Sequence, residues 1–209
     1  EAGMSVITIS RQFGAGGLTL GRKIAALLGY TLVDEEVIKL ISEKANVSTD
    51  WVHAVEKEAG GKLQQVINRL IPKGLMDRIL DDQRGYIDEE IYIDLLEKII
   101  NQIADKDNCI IIGRGGQYIL KNRPDTYHIL LTADKEDRIE FMRVNYKLEH
   151  NQAVQVVQAE DKRRLNLYRK FGKSDYDQPG HYHLTLNLSK LDIDSSTEVI
   201  KAMVAAMNG

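Results

Sequence analysis

Short apolar runs alternate along this chain with longer stretches in which apolar positions recur every three or four residues. That alternation predicts βαβ units built around a parallel sheet. A first strand is expected at about Ser5–Ser10, through Val6-Ile7-Thr8-Ile9. Leu20, Ile24, Leu27 and Leu28 then fall on one helical face, and Gly29 follows as a left-handed helix terminator. Thr31-Leu32-Val33 reads as a short second strand ending at Asp34. From Glu35 to about Lys106 the pattern is helical, interrupted at Gly60-Gly61, Pro72-Lys73-Gly74 and Arg84-Gly85. This is too long for a simple crossover, so residues about 35–106 are expected to form an inserted helical lobe within a single domain, 1–209.

The continuous run Asn108-Cys109-Ile110-Ile111-Ile112 suits a central strand buried on both faces. Tyr127–Leu131 is the next expected strand, and Thr132-Ala133-Asp134 a helix start. Helices are expected at about Lys135–Leu148 and Asn151–Phe171, then a loop at Gly172–Gly180. A last strand over Tyr182–Leu188 and a closing helix over Glu198–Met207 complete the pattern.

With 209 residues, 43% of them hydrophobic and 28% charged, the chain can bury a substantial core. A net charge of −3 gives no bulk reason to bind nucleic acid or an anionic membrane. The single cysteine, Cys109, lies in an apolar run, which excludes an internal disulfide framework and favours a small buried hydrophobe over a reactive thiol. No stretch approaches the ~20 apolar residues of a membrane span, and the start of the chain does not read as a charged-then-apolar leader; a cytoplasmic location is expected.

The chemistry concentrates where the first strand ends. Arg11-Gln12-Phe13-Gly14-Ala15-Gly16-Gly17-Leu18-Thr19 places glycines at a strand-to-helix bend, where successive backbone N–H groups can face phosphate oxygens. The helix that follows would add its unpaired N–H groups and the positive end of its dipole. Thr19 stands where a hydroxyl would ligate Mg²⁺. The usual lysine of such loops falls on Gly17, and the leading glycine on Arg11. A guanidinium can grip phosphate with two parallel hydrogen bonds, which makes Arg11 the candidate substitute cation. Arg22 and Lys23 read as a solvated helix face.

Ligands bind at strand ends in open parallel sheets. Asp34 is such a residue, although it could equally be an ordinary helix cap. Arg114, between Gly113 and Gly115 at the end of the buried strand, contributes little to packing and suits an anion. Asp161-Lys162-Arg163-Arg164 lies in a basic helix ahead of a glycine loop and reads either as a lid over phosphate, spanning about 150–180, or as a solvated face. His128 is expected to be a satisfied core residue, whereas His181 and His183 alternate on one face of the last strand, a weak hint of metal binding.

Those residues resemble the cytidylate kinase-like group of P-loop nucleoside monophosphate kinases over most of the chain. The likeness is carried by Ile7–Gly17, by Tyr30-Thr31-Leu32-Val33-Asp34, by Ile112-Gly113-Arg114-Gly115-Gly116, by Asp161-x-x-Arg164 with Tyr168 following, and by Tyr182–Asn187. The resemblance implies an α/β, three-layer P-loop kinase fold: a five-stranded parallel sheet with helices on both faces, a helical lobe for the acceptor and a helical lid. It implies ATP as donor, Mg²⁺ as cofactor, and a nucleoside monophosphate, CMP or dCMP, as the small-molecule acceptor. By position, Gly14, Ala15, Gly16, Gly17, Leu18 and Thr19 would hold the donor phosphates, and Asp34, Gly113, Arg114, Gly115 and Asp161 the acceptor. Lys162, Arg163 and Arg164 would close over the transferred group, with Arg11 and Arg114 completing the cationic set.

This chain departs from the cytidylate kinase pattern at Gly17, where a lysine is usual, and at Ile112 and Gly115, where aspartates are usual. Three readings therefore stand side by side: a nucleoside monophosphate kinase, a non-catalytic nucleotide- or phosphate-binding protein, and a kinase of a non-nucleotide small molecule.

Overall fold

The computed structural model describes residues 5–34, 89–106, 108–172 and 175–208. The chain divides into two compact units, residues 1–33 with 106–209, and residues 34–105. In the second unit one helix is described, α2 (Glu89–Ala104); the rest of the expected helical lobe lies outside the described residues.

The first unit is an α/β layer structure. Its strands are β1 (Val6–Arg11), β2 (Thr31–Val33), β3 (Cys109–Ile112), β4 (Thr126–Thr132) and β5 (Leu184–Asn187). They form one sheet in the order β2-β3-β1-β4-β5, every pairing parallel. Its helices are α1 (Gly17–Leu28), the single turn α3 (Gly116–Ile119), α4 (Lys135–Tyr146), α5 (His150–Lys170) and α6 (Ile193–Asn208).

β3 reads as an unbroken apolar run, and β1 is buried through Ser10, because both faces of the sheet are covered. On one face Ile7, Ile9, Ile110, Ile112, Ile129 and Leu131 pack with Leu20, Ile24 and Ala25 of α1 and Ile200 and Val204 of α6. On the other, Thr8 lies against Gly116 of α3 and Ser10 meets Tyr168 of α5. Gly29 ends α1 in the left-handed conformation, φ 71°.

Three expectations need correction. Leu27 is 45% exposed; Gly21 takes the buried position instead, close under Ile112, where a Cβ would stand 2.6 Å from its Cδ1. β1 begins and ends one residue later than the apolar run suggested, so Arg11 is its last residue, paired with Leu131. The last strand is only Leu184–Asn187; His181 ends a 3₁₀ turn (Pro179–His181) and His183 precedes the strand.

His128 is a satisfied core residue: its Nδ1 lies 2.7 Å from Thr8 Oγ1, and its backbone N–H donates to His183 Nδ1 at 2.9 Å. Burial pushes its pKa down to about 4, and the neighbouring His183 acts in the same direction. The folded protein thus keeps this imidazole neutral where an unfolded chain, with the ordinary value of 6.5, would protonate it. The resulting stability is complete above pH 6.5 and is lost as pH falls toward 4. Urea midpoints measured across that window should fall more steeply for the native protein than for His128→Asn, by about 1–3 kcal/mol in all. Parallel decline of the two would assign the acid sensitivity to other groups.

Candidate functional site

All strands being parallel, β1, β3 and β4 present their carboxyl ends at one edge of the sheet, and the candidate residues gather there. Past Arg11 the chain is tied to β4 twice: Gln12 N donates to Leu131 O (3.0 Å), and Gln12 Oε1 accepts from Ala133 N (3.1 Å). Ala15 N returns to Gln12 O at 3.1 Å, closing a turn that requires Gly14 at φ 82° and Gly16 at φ 75°. Gly14 is fixed for a second reason: a Cβ there would stand 2.8 Å from the backbone oxygen of Arg138. Gly16 caps α1, whose first internal bond runs from Leu20 N to Gly16 O at 3.0 Å. The N–H groups of Gly17, Leu18 and Thr19 precede that bond, and no acidic residue in the first turn competes for their positive field.

Arg11 and Gly17 form one arrangement. A Cβ on Gly17 would stand 2.9 Å from Arg11 Cγ and 3.0 Å from Cδ. The stem of Arg11 therefore crosses the start of α1 over the point from which a lysine would project. With the lysine position at Gly17, the hydroxyl position of such loops falls on Leu18, so Thr19 stands one residue beyond it, exposed on the first turn. Mg²⁺ is usually held by few protein oxygens together with phosphate and water, and Thr19 is the one hydroxyl this turn offers it. Among the described residues, no group of three or more His, Cys, Asp or Glu could hold a metal by itself, including His181 and His183. His181 Nε2 instead lies 3.0 Å from Asp175 Oδ2.

At the end of β3, Gly113, Arg114 and Gly115 take φ values of 75°, 54° and 73°, a left-handed turn closed by Gly116 N to Gly113 O at 3.1 Å. A non-glycine residue costs about 1–2 kcal/mol in this conformation. Arg114 is nonetheless there, and only 6% exposed. Gly115 has no alternative, because a Cβ would lie 2.5 Å from the Phe171 ring at the end of α5.

α5 brings the basic segment back to the sheet. Tyr168, 1% exposed, places its hydroxyl 2.8 Å from Ser10 Oγ. Arg164 donates to both carboxylate oxygens of Asp177 (2.8 and 2.5 Å) and to Ser10 Oγ (3.0 Å), with the rings of Tyr168 and Tyr176 at 4.8 and 5.2 Å. Burial by itself would lower the pKa of Arg164, but the Asp177 carboxylate together with Tyr168 and Tyr182 more than reverses this and holds it above the usual arginine range. Burial likewise raises the hydroxyls of Tyr118 and Tyr182 above the ordinary tyrosine value. Tyr182 donates to Tyr176 O at 2.6 Å, fixing the loop that carries Asp177.

The structure thus joins Arg11 to Gly14–Thr19, and the Gly113–Gly115 turn to the end of α5. It turns Arg164 inward to the sheet. Lys162 is exposed, and of Arg163 only the backbone is described. Asp34 follows β2 and is the first residue of the second unit. The Asp161 carboxylate accepts from Arg138 Nη1 at 2.8 and 3.0 Å. Arg138, Asp177 and Gln12 are site residues that the sequence pattern did not single out. One signal for Arg138 was available: it stands four residues before Met142, on the buried face of α4.

Comparison with known proteins agrees with this architecture. An uncharacterized protein from Eubacterium ventriosum superposes with a TM-score of 0.65 at 20% identity, covering 96% of this chain and 98% of that one. A shikimate kinase from Acinetobacter baumannii in complex with shikimate gives 0.52 at 15% identity, covering 98% and 95%. A gluconokinase from Sinorhizobium meliloti gives 0.51 at 11% identity, covering 98% and 93%. These likenesses establish a P-loop kinase fold. In sequence, a shikimate kinase of Actinobacillus pleuropneumoniae is 36% identical over 59 residues, which is 27% of this chain and 33% of that protein, so the match spans about a third of the relative. The family model described as "Cytidylate kinase-like family" matches residues 6–190.

The Arg164 anchor yields a stability prediction. Asp177→Asn should leave a nearly buried cation half-satisfied and lower the unfolding free energy by about 2–3 kcal/mol, less than for a fully buried pair because the carboxylate keeps some solvent contact. A change under about 0.5 kcal/mol by urea titration would show that the pair does not hold this loop.

Proposed function

The chain belongs to the cytidylate kinase-like family, and on that premise we propose that it transfers a phosphoryl group from ATP to a small phosphate-bearing acceptor, a nucleoside monophosphate with CMP or dCMP foremost. One observation carries the proposal. The stem of Arg11 lies over Gly17, which supports a cation reaching the phosphate loop from the strand side where a lysine usually enters from the helix.

ATP with Mg²⁺ supplies, when bound, the transferable phosphoryl group and a divalent charge. The chain's own part is positional and electrostatic. The N–H groups of Gly17, Leu18 and Thr19 face the donor phosphates, the Thr19 hydroxyl serves the metal, and the Arg11 guanidinium meets the charge that grows on the transferred group. Arg114, held in a strained turn, receives the acceptor phosphate, with Gly113 and Gly115 shaping that side. Lys162, exposed on α5, and Arg163 beside it in sequence close over the reacting oxygens. Asp161 and Arg164 act by holding α5 in place. Residues about 150–180 act as the lid, while the acceptor lobe expected over about 35–106 lies mostly outside the described residues.

A second reading is favoured by the local likeness to shikimate kinase: transfer to the hydroxyl of a small non-nucleotide acid. A single assay separates the readings. Protein, ATP and Mg²⁺ are incubated with CMP, dCMP, UMP, AMP, shikimate or gluconate, and ADP release is followed. Turnover with a pyrimidine monophosphate is expected, absent in the Thr19→Ala, Arg114→Ala double variant. Turnover only with shikimate or gluconate establishes the second reading, and ATP binding without transfer to any acceptor establishes a non-catalytic binder.

Within the same assay Arg11→Ala should lose about 10²–10³-fold in kcat while Arg22→Ala changes less than about twofold. Equal losses would remove Arg11 from its role. Gly17→Lys alone should be inactive, because its side chain meets the Arg11 stem, whereas Arg11→Gly combined with Gly17→Lys should recover much of the rate.

A further inference from the structure

Three elements converge on Arg138, the fourth residue of α4. Its guanidinium Nη1 donates to the backbone oxygen of Phe13 in the phosphate loop at 3.2 Å. The same nitrogen donates to both oxygens of Asp161, midway along α5, at 2.8 and 3.0 Å. Its backbone oxygen forms the floor on which Gly14 sits. Phe13 itself packs against the cluster that Ile139 and Met142 of α4 make with Ala153 and Val157 of α5. One residue thus touches the loop through a carbonyl and through van der Waals contact, and touches the lid helix through a salt bridge.

The energetics argue against a merely structural arginine. Arg138 is 6% exposed, and its Nε is buried with no hydrogen-bond partner among the described residues. A buried guanidinium that is incompletely satisfied destabilises relative to an apolar side chain of similar length, so packing alone does not account for it. Asp161 keeps a 38% exposed side chain, so its grip on Arg138 can respond to what approaches α5.

We propose that Arg138 is a positioning residue that sets the phosphate loop according to the place of α5, with Asp161 as the lid-side half of the coupling. The Phe13–Gly14 peptide is its output: when Asp161 holds Nη1, the guanidinium pins the Phe13 carbonyl, and the N–H groups after Gly14 stay aimed at the donor phosphates. When Asp161 is drawn off, the loop loosens. This assigns Asp161 to an intramolecular contact, and it rests on the kinase reading only for its consequence in turnover.

Hydrogen exchange tests the coupling without reference to activity. The full-length protein, Asp161→Asn and Arg138→Met are compared by mass spectrometry in peptides covering Gln12–Thr19, with β3 and α6 peptides as internal controls. Exchange in the loop should rise at least tenfold in both variants, with the β3 and α6 peptides unchanged, and Asp161→Glu should restore most of the protection. A second arm measures steady-state kinetics with ATP: KM for ATP should rise about tenfold in Asp161→Asn, with kcat altered less than threefold. Loop exchange that stays at the native rate, or that rises only in step with β3 and α6, overturns the proposal and leaves the kinase reading intact. A native protein that neither binds nor turns over ATP overturns the kinase reading, while the exchange arm still decides the coupling. If Asp161→Asn does not fold, Arg138→Met carries the same comparison, since it replaces the charge with an apolar stem of similar reach.

Discussion

The candidate site depends on β1 running between β3 and β4 with every strand parallel. A parallel sheet gathers strand ends at one edge, and every residue after such an end must find its hydrogen bonds elsewhere. Gln12 does so with the β4–α4 connection, and Gly113 with Ile9 O. Those bonds set where the two glycine turns stand, one opening toward α1 and the other toward α3. Displacing β1 by a single residue would move Arg11 off the face that carries Gly17.

Close approach is the second constraint. Gly14 sits on Arg138, Gly17 under Arg11 and Gly115 against Phe171, and in each case a methyl group would meet another atom at 2.9 Å or less. Three separate elements are pressed onto the turns, and glycine is the residue that admits them. The absent lysine belongs to this list. With the Arg11 stem 2.9 Å from a Cβ at position 17, a side chain there would have to displace it, so a strand-borne cation and a helix-borne one compete for the same space.

The basic helix divides its charges between two tasks. Arg164 is taken by Asp177, Ser10 and two tyrosine rings, while Lys162 on the same helix stays in solvent. Helical periodicity places the two on different faces, and burial then separates an anchor from a candidate phosphate ligand. The same segment therefore fixes α5 at its carboxyl end and keeps an exposed charge, Lys162, in its middle.

Much of this was legible in the chain itself. The apolar runs at β1, β3 and β4, the left-handed glycine after α1 and the glycine-arginine turn after β3 follow from local rules of burial and backbone conformation, and they suffice for a parallel α/β sheet with a phosphate loop. The identity of the cation candidate was also readable, because Arg11 and Gly17 depart from the lysine pattern together. What only the tertiary structure decided is which charges meet. Arg138 and Asp161 are 23 residues apart, and Arg164 and Ser10 are 154 apart. No local spacing encodes such pairings; they arise because two helices fold back over the sheet edge and exclude water from specific guanidinium groups. Sequence marked the candidate phosphate loop, and packing determined which guanidinium groups are drawn into internal pairs.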